Sequence, residues 1–290
     1  MKTTLSGLAV AGLLVQTRMG RRPPVYLVHA LTAKCNARCG FCAWNDFESG
    51  NELTTQEVKT LYRDARDAGF IGVSMWGGEP LLRKDSGEIF AHARDLGLQT
   101  HIITNGFLLK HKLDQVVPNI DRVCISLDQA SEKHDEMRKI PGLFARIVDA
   151  TKELRRRSPN KEIIFNYTLQ RDNVDAASVT AAAELMRSLD VVGIFNALRV
   201  ESAAGGEDLT HFNPSQEELS EAFAHLRDLK ERGYPILNSF THIDMLQKGP
   251  PEYRCHWPKF MLPIEANGDV VDCMRWGTHP VGNIRETPFA

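Results

Sequence analysis

Three of the six cysteines in this 290-residue chain, Cys35, Cys39 and Cys42, fall within eight residues in the pattern C-x3-C-x2-C. Disulfides between positions this close would be strained, whereas thiolates at this spacing can converge on one metal centre. Such a site requires a reducing compartment. Four thiolates would close a four-iron cluster, so three leave one iron with an open coordination position where a small molecule can bind. Zinc is the rival metal, but structural zinc takes four protein ligands. No neighbouring Cys or His completes that set, and His29, close by in sequence, lies inside a strand-like run.

The elements that must position these thiols follow a regular rhythm. Residues 25–31, VYLVHAL, read as a buried strand that runs directly into the cysteine loop, which places the metal centre at a strand's C-terminal end. Thr54, Thr55, Gln56 and Glu57 open a helix to about Ala68, Gly69 stops it, and a strand follows at 71–75. Helices at 86–96, 108–116, 143–157, 176–189 and 217–232 then alternate with strands at 99–104, 122–127, 162–169 and 192–200. Alternation of this kind predicts a parallel sheet covered by helices, with ligand chemistry at the C-terminal ends of the strands. There the second strand meets Trp76-Gly77-Gly78-Glu79-Pro80, whose glycines let a ligand approach the backbone beside a carboxylate. The third strand ends in Thr104-Asn105-Gly106, and the fourth in Ser126-Leu127-Asp128, residues that also serve to cap a following helix. Cys124, between Val123 and Ile125, reads as a small buried hydrophobe. Asn166, Arg199 and Glu201 sit at the ends of later strands, where substrate contact and ordinary salt bridging explain them equally well.

The segment CNARCGFC, followed one β-α unit later by GGEP, resembles the radical S-adenosylmethionine (SAM) enzymes over roughly residues 25–230. The resemblance implies an α/β fold, a partial (β/α)6 TIM-like barrel. It also implies a [4Fe-4S] cluster on Cys35, Cys39 and Cys42, whose fourth iron chelates SAM. By analogy Gly77, Gly78 and Glu79 hold the methionine amino group and Phe41 packs near the adenine. Asn105, Ser126 and Asp128 occupy rim positions that contact ribose or the methionine carboxylate in family members. The implied chemistry is one-electron cleavage of SAM to a 5'-deoxyadenosyl radical that abstracts hydrogen from substrate, fed by an electron donor such as a flavodoxin or ferredoxin.

Further along, Cys255 and Cys273 with Gly268 between them form C-x12-G-x4-C, and IEANGDVVDC reads as a β-hairpin: 261–265, a turn at Asn267-Gly268, and 270–273. This spacing is similar to the opening of the SPASM/twitch extension of the same family, which implies an auxiliary iron-sulfur cluster. Two thiolates do not hold a cubane. A sequence cut short before its last ligands, a reduced set using His256 or His279, and a hairpin without metal all account for the pattern. The expected organisation is an N-terminal apolar segment at 1–24, the core barrel at 25–234 and the extension at 235–290, which opens as Pro-rich, irregular sequence.

Composition narrows the partners. With 35 Lys and Arg against 37 Asp and Glu, the net charge of -2 creates no field to gather phosphate backbones, so nucleic acid is not an expected partner. The apolar run at 5–15 imitates a secretory signal but lacks a cleavage site, and it is too short to span a bilayer. Arg18, Arg21 and Arg22 beyond it would suit peripheral contact with an anionic lipid surface; a cytoplasmic location is the expectation. The leading reading is a radical SAM enzyme that modifies a peptide or protein, or matures another enzyme. Radical chemistry on a lipid or small molecule is the alternative, and a non-catalytic iron-sulfur electron carrier or scaffold is the rival of another class.

Overall fold

The computed structural model describes residues 25–44, 50–203, 206–249, 257–273 and 279–287, together with positions 12, 15, 16 and 19. Helix α1 (Thr55–Asp67) opens with a reciprocal cap: the Thr54 hydroxyl accepts from Glu57 N at 3.3 Å, and the Glu57 carboxylate accepts from Thr54 N at 2.8 Å. One face buries Val58, Leu61, Tyr62 and Ala65. Beyond α1 strands and helices alternate, with two helices in succession between the fourth and fifth strands. Strands β1 (Tyr26–Thr32), β2 (Gly72–Gly77), β3 (Gln99–Thr104), β4 (Arg122–Ser126), β5 (Glu162–Leu169) and β6 (Val192–Ala197) pair in parallel in the order β6-β5-β4-β3-β2-β1. Between and after them lie α2 (Ser86–Asp95), α3 (Leu113–Asn119), α4 (Lys133–Arg138), α5 (Leu143–Arg157), α6 (Ala176–Ser188) and α7 (Gln216–Glu231). This is the helix-covered parallel sheet that the alternation predicts, in the partial (β/α)6 form that the family resemblance implies.

Pleating assigns the two faces of the sheet. Val123 and Ile125 of β4 and Phe165 and Tyr167 of β5 join one apolar core with the helices. Cys124, Ser126 and Asn166 therefore share the opposite face, with Ser126 and Asn166 in register. Cys124 is buried, as its apolar neighbours suggest, and burial pushes its thiol up to about 12.

After α7 the chain continues through α8 (Phe240–Gln247) and α9 (Trp257–Phe260) to β7 (Met261–Ile264), β8 (Asp269–Val270) and β9 (Gly282–Asn283). Strand β7 pairs in parallel with β1, and β8 and β9 follow antiparallel, so the hairpin extends the same sheet. Helix α8 lies in sequence that reads as irregular. Its cap is clear, with Ser239 accepting from His242 N, but Ile243 is its one buried residue and leaves no periodic signal. The helix expected at 108–116 is a 3-10 turn, Lys110–Lys112, followed by α3. Thr104 Oγ1 and Asn105 Oδ1 accept from Gly106 N and Phe107 N and hold the preceding loop in a tight turn. Strand β6 ends at Ala197 rather than Val200, because the Asn213 side chain takes both Val200 N and Val200 O at 3.0 and 2.7 Å. Among the described residues no helix is long and apolar enough to cross a membrane. The apolar segment at 5–15 lies, apart from positions 12 and 15, outside the described residues.

Three histidines are held neutral. His29, whose Nδ1 lies 3.0 Å from the Tyr62 hydroxyl, is pulled down to about 3 by burial and by Arg83. His101 and His134 are each pulled down to about 4, chiefly by burial. Burial and Asp269 push Glu265 the other way, up to about 7. Below pH 6.5 the unfolded chain takes up three histidine protons that the folded chain refuses, while Glu265 offsets one of them. Stability should therefore fall by about 3–4 kcal/mol between pH 7 and pH 5. Urea unfolding across that range measures it, and Glu265→Gln should make the fall steeper.

Candidate functional site

The loop that leaves β1 is held by backbone contacts rather than by secondary structure of its own. Gly78 N donates to Thr32 O at 2.8 Å and Glu79 N to Lys34 O at 2.9 Å. A Cβ on Gly78 would lie 2.2 Å from Lys34 O, and one on Gly77, at φ +123°, would lie 2.4 Å from Thr32 O. On the side where a Cβ would stand, both glycines thus make room for the cysteine loop's own backbone. Glu52 adds a second brace by accepting from Ala33 N and Thr32 Oγ1, each at 2.9 Å. Arg83 joins both ends of the loop, donating to Leu31 O and Leu53 O at 2.8 Å each while its Nε pairs with Asp85. From the C-terminal hairpin, Ala266 O accepts from Leu53 N at 2.7 Å, and Arg285 donates to Glu57 and to Asn51 O.

Cys35, Cys39 and Cys42 line one cavity of about 740 Å³ with Gly77, Gly78, Asn105, Ser126, Trp76 and Arg138. Burial pushes the Cys35 and Cys39 thiols up, against the pull of Arg138. Asn105 Nδ2 donates to Asn36 Oδ1 at 2.9 Å, tying the third strand end to the cysteine loop. Trp44 and Trp76 meet edge to face with ring centroids 4.9 Å apart and form one wall. Phe41 packs against the core beneath the Arg138 guanidinium, 5.4 Å from its ring centre. Among the described residues no three His, Cys, Asp or Glu side chains converge as ligands of a single ion would.

Two expected cavity residues sit behind the wall. Glu79 is fully buried, and its carboxylate accepts from Leu81 N, Thr104 Oγ1 and Asn105 N at 3.0, 2.7 and 2.7 Å. It ties two strand ends together, which leaves the backbone of Gly77 and Gly78 to face the cavity. Asp128 is likewise fully buried; it accepts from Arg138 Nε at 2.7 Å and Thr168 N at 3.3 Å. His134 Nδ1 lies 4.0 Å from the same carboxylate, yet it accepts from Asp128 N at 3.1 Å and is therefore the neutral form rather than an ion-pair partner. Arg138, which lines the cavity and carries a buried positive charge, is the residue that the sequence does not disclose. It closes the six-residue helix α4, too short for a periodic pattern, and Lys139 in the left-handed conformation follows it. The only signal for it is the buried acid at a strand end that needs a partner. Cys255 and His256 lie outside the described residues, and Cys273 and His279 are exposed beyond β8.

The family model described as the Radical SAM superfamily matches residues 30–180. An Fe-coproporphyrin III synthase of Methanosarcina barkeri is 27% identical over 305 residues, spanning 96% of this chain and 75% of that protein. A PqqA peptide cyclase of Granulibacter bethesdensis is 28% identical over 268 residues, spanning 87% and 68%. Among solved structures, Streptococcus suis SuiB bound to S-adenosylmethionine superposes with a TM-score of 0.75 at 17% identity, covering 97% of this chain and 68% of SuiB. Another SuiB structure, at a TM-score of 0.73, holds the precursor peptide SuiA.

Removing Arg138 would leave the Asp128 carboxylate buried and unpaired. Arg138→Ala should lower stability by about 3–5 kcal/mol, and adding Asp128→Asn should restore a large part of that loss. Urea titration of the two single variants and the double variant measures the coupling.

Proposed function

The chain belongs to the radical SAM superfamily, and we propose that it is a member that modifies a peptide, with Cys35, Cys39 and Cys42 as the protein ligands of its [4Fe-4S] cluster. The observation that carries the site assignment is the opening of these three cysteines into one cavity beside the Gly77-Gly78 strand end. The cavity fits the groups that the family implies. Its volume of about 740 Å³ falls in the range of small-molecule sites, and its donor set is soft sulfur with no fourth thiol among the described lining residues. When bound, the cluster and SAM supply one-electron cleavage of SAM and hydrogen abstraction from substrate.

The chain's own residues bind, orient and exclude water. Backbone atoms of Gly77 and Gly78 would receive the methionine amino group, and the buried charge of Arg138 suits the methionine carboxylate. Phe41 would pack beside the adenine, with Asn105 and Ser126 at the rim. Glu79 and Asp128 act one layer back: the first fixes the strand ends after β2 and β3, and the second holds Arg138. The Trp44-Trp76 wall keeps one side of the cavity apolar and dry. We further assign residues 25–234 to the catalytic unit and the remainder to an extension whose hairpin braces the cysteine loop. Whether Cys255 and Cys273 belong to an auxiliary cluster is a matter for iron counting.

A peptide substrate is supported by what similar proteins handle: a peptide cyclase by its name, and SuiB with its precursor peptide. A tetrapyrrole is the second reading, favoured by the Fe-coproporphyrin III synthase that aligns over 96% of the chain. Reconstituted enzyme with SAM and dithionite should release more 5'-deoxyadenosine with a pooled library of linear peptides than without, and peptides of altered mass should accumulate. Stimulation by an iron tetrapyrrole precursor, with iron coproporphyrin III accumulating as the product, and none by peptides would replace the first reading with the second.

A further inference from the structure

The connection from β6 to α7 crosses to the far side of the site and packs on the cysteine loop. Its described parts, 198–203 and 206–213, form a small apolar cluster of their own: Val200, Ala203 and Leu209, against which Leu198, Phe212 and Ala43 of the cysteine loop pack. The strap is internally braced. Ser202 and Asp208 form an antiparallel bridge, Leu209 N donates to Glu201 O, and Asn213 clamps Val200. It is also anchored to the strand beside β6, because Arg171 N, just beyond β5, donates to Phe212 O at 3.0 Å.

At its tip Phe212 meets the stretch between the second and third cysteines. Its ring lies edge to face on Phe41 at 6.5 Å between centroids. A Cβ built on Gly40 would come within 2.8 Å of the Phe212 ring. Gly40 has no positive φ, so the glycine there serves the close approach of this ring rather than a special backbone conformation.

We infer that Phe212 is a positioning residue that clamps Gly40 and Phe41, and through them holds Cys39 and Cys42 in their ligating arrangement. The clamp acts through packing and touches neither the cavity nor the thiols. Its meaning for catalysis rests on the cluster assignment above, but the contact itself can be tested without a cluster.

The first readout is the alkylation rate of Cys39 and Cys42 in the apo protein, mapped by mass spectrometry. The second is the rate at which a chelator strips iron from the reconstituted protein, with circular dichroism to show that each variant is folded. An edge-to-face aromatic contact corresponds to about tenfold in a local opening equilibrium, so Phe212→Ala should speed both rates by about that factor. Gly40→Ala should do the same by displacing the ring. Combined with Phe212→Leu, which lacks the ring, Gly40→Ala should return close to the rate of Phe212→Leu alone. If Phe212→Ala fails to fold, this Gly40 and Phe212→Leu cycle decides the matter. Wild-type alkylation and iron-loss rates in Phe212→Ala, or a Gly40→Ala effect that multiplies in full on top of Phe212→Leu, would overturn the clamp. Clear alkylation differences in a protein that takes up no iron would instead keep the clamp and remove the cluster assignment.

Discussion

The site depends on one close approach of two main chains. Gly78 lies so near Lys34 O that a methyl group would sit 2.2 Å from it, and the two hydrogen bonds across this contact set the path of the chain just before Cys35. Any side chain there would push the cysteine loop off the strand ends, and no other regular structure would catch it. Everything else reinforces that contact. Arg83 satisfies carbonyls at both ends of the loop, Glu52 returns to its first turn, and the C-terminal hairpin supports its exit through Ala266 and Arg285. A reactive centre on an irregular loop needs this kind of support, because its ligands must stay placed while the centre changes charge.

Buried charge is handled by the same economy of contacts. Glu79 and Asp128 are fully buried acids just past the ends of β2 and β4, on either side of β3, yet neither faces the cavity. Glu79, pushed up by burial, accepts three hydrogen bonds that tie the ends of β2 and β3 together. Asp128 instead anchors Arg138, which carries its positive charge to the cavity wall. Such pairs contribute little net stability compared with apolar packing, but they place a charge at a fixed position in the cavity wall. That placement is what recognition of a zwitterionic ligand requires.

How far the site could be read in advance depended on whether its signal was local. The cysteine spacing, the β-α rhythm and the capping residues Thr54 and Glu57 are short-range patterns, and the strands at 99–104 and 162–169 and the helix at 143–157 match the structure residue for residue. The residues that came out differently act over long range. Gly77 and Gly78 announce a need for space but not what fills it, and Glu79 shows its acid type but not that three donors enclose it. Arg138 and Phe212 give no local signal, since one closes a six-residue helix and the other ends a loop whose partner lies about 170 positions earlier. The pairing of β7 with β1 is likewise invisible locally, because a parallel pair has no turn to mark it.

The central claim is that three cysteines leave one iron open and that SAM occupies it. Electron paramagnetic resonance on the anaerobically reconstituted, dithionite-reduced protein, before and after SAM is added, tests this most directly. The account predicts a reduced [4Fe-4S] signal whose shape changes with SAM and which the Cys35/Cys39/Cys42→Ala variant loses, with 5'-deoxyadenosine formed in the same sample by the wild type alone. A fully loaded cluster whose spectrum ignores SAM and which yields no 5'-deoxyadenosine would contradict it.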